Sequence, residues 1–141
     1  MRVEIGPLQG ELHAPADPML CHDVVVASAD NRLRAFVAAL GLCLRGLTRP
    51  PTDEERDAAA EAGREVAPVP VKLSVSLKSC RYNVLEYGGR VFTELNKLGA
   101  SPAAIQAMGI VAFNAMAEQS ISSEDLADAE GKSPAAKAAG S

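Results

Sequence analysis

His13, His22, Cys21, Cys43 and Cys80 carry the imidazoles and thiols of this chain, the side chains best suited to hold zinc or to act as nucleophile and base. A zinc site needs such ligands in short spaced pairs that converge on a tetrahedron. The closest pair here, Cys21-His22, is a dipeptide whose adjacent side chains do not readily grip one metal. Cys43 and Cys80 stand in apolar helical patterns, where a thiol is packed, protonated and inert, so neither makes a convincing nucleophile with a distant histidine. Three cysteines without a close pair read as reduced core residues rather than a disulfide framework. Gly88-Gly89 falls inside a helical pattern and lacks both the strand before and the Lys-Ser/Thr after that a phosphate loop requires. Its missing side chains suit the close approach of another helix. The expectation is no enzyme, no metal, no cofactor and no small-molecule substrate.

Charge narrows the partners. The 14 Lys and Arg residues stand against 18 Asp and Glu, a net charge of -4, which gives no broad cationic footprint for nucleic acid or an anionic membrane. Between Leu95 and Asn114 a short Gly-containing turn joins two helical patterns in the outline of a helix-turn-helix. The second helix offers Gln106 and Asn114 but no Arg or Lys for phosphate and guanine contacts. No apolar run approaches the roughly 20 residues that span a bilayer, and Met1-Arg2-Val3-Glu4-Ile5-Gly6 lacks the regions of a signal peptide. A cytoplasmic protein whose partners are proteins is expected.

The elements that position these residues follow from periodicity. At 141 residues the chain has the length of one domain, expected over residues 1–130 as a mainly α fold with a central αα-hairpin and a small N-terminal β element. Residues 1–28 read as strand-rich: Arg2-Val3-Glu4-Ile5 alternates and Gly6-Pro7 and Gly10 punctuate before Glu11-Leu12, which predicts a small strand-turn-strand, and Asp23-Val24-Val25-Val26 is a β-branched run that suits a third strand or a helix lead-in. Leu33, Phe36, Val37, Leu40, Leu44 and Leu47 recur at helical spacing after Asp30, predicting a helix over residues 31–47. Thr52-Asp53-Glu54-Glu55 is a capping box opening a surface helix over residues 53–63. Pro68 and Pro70 make a stiff spacer, and Val71, Leu73 and Val75 alternate with Lys72, Ser74 and Ser76 as in a strand.

The hairpin is predicted over residues 77–98 and 102–119. Leu77, Cys80, Val84, Tyr87, Val91, Leu95 and Leu98 form one apolar face, with Glu86, Arg90, Glu94 and Lys97 opposite. Gly99 ends that helix, and Ser101 with Pro102 starts the next as N-cap and first-turn proline. The second helix has no proper polar side. Ile105, Met108, Ala112 and Met116 make one apolar stripe, and Ile110, Phe113 and Ala117 make another well around the helix. Such a helix is buried in a core or covered by a partner, another copy included. Tyr82, Leu85 and Phe92 fall on a flank of the first helix, either under the N-terminal helix or in an open groove. Tyr82, Leu85, Phe92, Ile110 and Phe113 are therefore the candidate protein-binding residues. Ser122 or Ser123 is expected to cap an acidic turn, and residues 131–141, small and alanine-rich, are expected to be disordered.

In order, Phe36-Val37-Ala38-Ala39-Leu40-Gly41-Leu42-Cys43, a proline-rich break, Tyr87-Gly88-Gly89-Arg90-Val91, Leu95, Leu98-Gly99-Ala100-Ser101, Ile105, Gly109, Ala112 and the acidic Glu124-Asp125-Leu126-Ala127-Asp128-Ala129-Glu130 form a pattern. Over residues 31–130 it resembles the small tail assembly chaperones of tailed phages. That resemblance implies a non-enzymatic protein of the host cytoplasm that binds the apolar, helical tape measure protein, with the tail tube protein as a further partner; the apolar faces of residues 103–117 separately predict a homo-oligomer. A small virion component or homo-oligomeric scaffold, whose surplus apolar surface buries against its own copies, is the second expectation. A helical regulatory module is the third.

Overall fold

The computed structural model describes residues 1–120; the acidic turn and the tail expected beyond them lie outside the described residues. Arg2–Ile5 (β1) and Leu8–Leu12 (β2) form the predicted antiparallel hairpin. Their alternation buries Val3, Ile5, Leu8 and Leu12 on one face and leaves Arg2, Glu4, Gln9 and Glu11 in solvent.

Within the rest of the segment expected to be strand-rich, residues 18–27 are helical instead. Pro18–Ala27 (α1) begins where Asp17 accepts the amides of Met19 and Leu20 at 3.1 and 3.2 Å and Pro18 takes the first turn. The cap and the i,i+3 burial of Cys21 and Val24 override the β preference of Val24-Val25-Val26.

Arg32–Cys43 (α2) is capped by Asn31, which accepts the Arg34 amide at 3.0 Å, rather than by Asp30. It stops four residues short of the predicted end. Leu44–Arg49 (β3) follows directly and pairs antiparallel with β2, Leu12 opposite Leu44 and Gln9 opposite Thr48. Gly46, left-handed at φ +60°, sits in the bulge that shifts the register between Gln9 and Glu11. The open edge of β2 takes the leucines that helical spacing assigned to α2. Leu44 and Leu47 remain buried, but from a strand.

Asp53–Glu61 (α3) starts on the predicted capping box: Glu55 donates its amide to Thr52 Oγ1 at 3.2 Å and returns Oε1 to the Thr52 amide at 2.9 Å. Val69–Pro70 (β4) pairs with β3 and completes a sheet in the order β1-β2-β3-β4, an edge position that tolerates proline. Residues 71–76, expected to be a strand, alternate half-buried and exposed but join no ladder.

The helix predicted over residues 77–98 begins at residue 84. Ser76 and Ser79 exchange amide-to-hydroxyl bonds of 3.1 Å around a short 3-10 turn at Lys78–Cys80, drawing backbone donors away from an α-helix. Arg81 and Tyr82 then turn left-handed at φ 54° and 59°, and Asn83 caps Val84–Lys97 (α4) by accepting the Glu86 amide at 3.0 Å. The turn to Pro102–Gln119 (α5) has the predicted parts: Gly99 at φ +105°, and Ser101 accepting the Ala104 amide at 3.2 Å ahead of Pro102.

The fold is mainly α with a small N-terminal β element. Its centre is α2, because α4 and α5 each pack chiefly on α2 and only lightly on each other, so the hairpin is split around a third helix. α1 lies across α2 and α5, and β1 meets α5. Backbone approach on both sides of α2 depends on glycine. A β-carbon at Gly88 would stand 2.0 Å from the Arg34 carbonyl oxygen, and one at Gly109 would stand 3.0 Å from that of Phe36. The core holds Leu40, Leu95, Ile105 and Met116 with all three thiols, and among the described residues it buries no charged or polar side chain.

Candidate functional site

The central helix decides which of the candidate binding residues meet. Leu85 and Phe92 are seven residues apart and share a face of α4, about 10 Å apart along its axis; both are half-buried. Phe92 opens onto a groove between α4 and α2, lined by Leu33, Arg34, Val37, Gly88, Gly89 and Thr93. Leu33, 44% exposed, keeps that groove open. One turn along α2, Phe36 meets Phe113 of α5 edge to face, ring centres 4.9 Å apart and planes at 65°. Ile110, 38% exposed, lies one turn before Phe113 on α5. Phe92, Leu33, Phe36, Phe113 and Ile110 thus form an apolar strip across three helices.

Three of the five candidates, Phe92, Ile110 and Phe113, belong to this strip, and Leu85 extends the face of α4 that carries it. Tyr82 stands apart. It is 68% exposed on the left-handed turn before α4, not on a helical flank. Helical spacing places Leu33 and Phe36 on the core stripe of α2, yet they form the bridge. A sequence signal existed: α2 carries Ala35, Val37, Ala38, Ala39 and Leu40 besides Leu33 and Phe36, too many apolar positions for one face.

Arg34 lines the groove, and the other charges of this side of α4 lie outside it. Arg90 and Glu86 pair at 3.0 Å on the exposed side of α4, the i,i+4 contact that the charge pattern predicts. Burial pushes the Cys43 thiol up to about 11 and raises that of Cys21, so both stay protonated near neutrality. Burial likewise pushes the Tyr87 phenol up to about 12. His13 meets Glu11 at 3.2 Å on the exposed end of the sheet, and Cys21 Sγ donates to the Pro15 carbonyl at 3.7 Å. Among the described residues no three His, Cys, Asp or Glu side chains are grouped to hold a metal, and no helix is long and apolar enough to cross a membrane. The strip can offer dispersion and hydrophobic contact and brings no titratable side chain of its own.

Comparison with protein-family models, curated proteins and solved structures finds no match to this chain. The description that fold and site support is a mainly α protein with an open apolar strip across α2, α4 and α5.

Proposed function

We propose that this chain is a non-enzymatic tail assembly chaperone of tailed phages, which holds apolar helical segments of the tape measure protein until the tail tube forms around them. The strip from Phe92 through Leu33 and Phe36 to Phe113 and Ile110 carries the reading. It crosses three packed helices and includes the groove between α2 and α4, and an apolar groove suits a helix laid into it. A surface of acidic net charge keeps such a protein soluble while it masks a sticky partner. The order of sequence elements that resembles these chaperones supplies the identity of the partner.

The test is co-expression with the apolar helical region of a tape measure protein, followed by pull-down and measurement of how much of both chains stays soluble. Phe92→Asp and Phe113→Asp place a charge on half-buried strip positions, so at least one of them should keep the fold and lose the partner. Leu95→Asp should lose both, because Leu95 is fully buried. Two folded phenylalanine variants that still solubilise the partner would show the face to be wrong. A native chain that ignores the partner and forms a closed oligomer, or remains in finished particles, would make it a virion component or scaffold.

A further inference from the structure

β1 is the outer strand of the sheet, and its free edge meets no other strand among the described residues. Met1 and Leu12 exchange both of their backbone hydrogen bonds: the Leu12 amide donates to the Met1 carbonyl at 2.8 Å and the Met1 nitrogen to the Leu12 carbonyl at 3.3 Å. Antiparallel ladders alternate bonded with non-bonded pairs, so Val3 with Gly10 and Ile5 with Leu8 are the next bonded pairs. The N–H and C=O groups of Arg2 and Glu4 therefore point the other way, out of the edge of the sheet. Nothing among the described residues takes them up.

Charge on an edge strand commonly keeps other strands away. On β1 the two charges are opposite in sign and two residues apart, and that spacing makes the edge complementary to itself. An antiparallel copy in which Val3 faces Val3 sets Arg2 of each chain opposite Glu4 of the other. Both residues direct their backbone groups outward, so each of the two pairs exchanges two backbone bonds and sets guanidinium against carboxylate on the exposed face. Glu4 is open to this pairing, because it faces Gln9 within the sheet and forms no ion pair among the described residues. On the core face Met1, 62% exposed, comes to stand opposite Ile5 of the other copy. A slip of two residues in either direction brings Arg2 against Arg2 or Glu4 against Glu4 and loses one bonded pair. A slip of one residue sets the core face against the exposed face.

We propose that two copies of this chain pair antiparallel through β1, centred on Val3, and join their four-stranded sheets into one. The contact is a closed twofold, so it ends with a dimer. It uses neither the apolar strip nor helix capture.

Sedimentation equilibrium of the full chain and two charge reversals tests the pairing. In a homodimer Glu4→Arg sets Arg against Arg at both pairs, and Arg2→Glu sets Glu against Glu; both positions are exposed, which protects the fold. Each variant alone should dimerise about fivefold or more weakly than the native chain. An equimolar mixture of the two should recover native strength as a heterodimer, because every facing pair is again Arg with Glu, and damage to either fold would give no such recovery. If Glu11, which faces Arg2 across β2, unfolds Arg2→Glu, then Arg2→Gln takes its place, and the mixture should still associate more tightly than Glu4→Arg alone. A native chain that is monomeric up to millimolar concentration overturns the pairing and leaves the edge to an extended segment of another protein. Association that Glu4→Arg leaves unchanged and Phe113→Asp abolishes belongs to the apolar strip and overturns the pairing too. Weakening in both variants with no recovery in the mixture overturns the register.

Discussion

Glu55 receives both guanidinium nitrogens of Arg49, at 2.7 and 3.2 Å, while its Oε1 accepts the Thr52 amide. The pair ties the first turn of α3 to the end of β3, and the Arg49 hydrogen bond with that of Thr52 pulls the Glu55 carboxyl from 4.5 down to about 2. A carboxyl that is more acidic in the folded state stabilises the fold above its unfolded value and stops doing so as pH falls through the folded one. The anchoring of α3 should therefore be intact above pH 4.5 and fade between there and about pH 2. Titration of the Glu55 carboxyl by NMR checks this, and an ordinary midpoint near 4.5 would mean that the pair does not persist in solution. Half of this constellation was readable in the sequence, because a capping box is local. Arg49 could not be assigned while residues 44–47 read as helix, since its place opposite Glu55 depends on β3.

At the scale of elements, the contact of α2 with α4 depends on one glycine of an adjacent pair. Gly88 faces the Arg34 carbonyl so closely that a methyl group has no room, whereas a β-carbon at Gly89 would meet the Arg34 guanidinium at an ordinary 3.5 Å. Gly88→Ala should destabilise by about 1–3 kcal/mol or more through overpacking. Gly89→Ala should stabilise by up to about 1 kcal/mol, because alanine is the better helix former. Urea denaturation of the two variants gives the sign of each, and equal shifts would mean that the helices do not approach at this point. Helical spacing alone gave no way to see that α4 starts late. The apolar positions Leu77 and Cys80 continue its period, yet Asn83 followed three residues later by Glu86 is itself an N-terminal signal. Periodicity reports which residues turn inward and is indifferent to whether they do so from a helix or from a tight turn.

For the whole molecule, the open strip predicts self-association when no partner is present. Light scattering from micromolar to millimolar protein should show concentration-dependent assembly, and Phe113→Asp should shift it toward monomer. A native chain that stays monomeric throughout would show that the strip is too small to bury against a copy of itself. Sequence alone determined the mainly α class, the N-terminal hairpin, the α3 cap, the Gly99-to-Pro102 turn and the full span of α5, because each depends on residues within a few positions of one another. Packing decided the rest. Whether Leu44 and Leu47 belonged to helix or strand depended on the unpaired edge of β2, more than thirty residues away. Which helix occupied the middle depended on where Gly88 and Gly109 let two backbones close on α2. The apolar strip inherits that choice. Phe92 and Phe113 were legible as apolar residues off their main stripes, but only the placement of Leu33 and Phe36 between them joins two separate flanks into one surface.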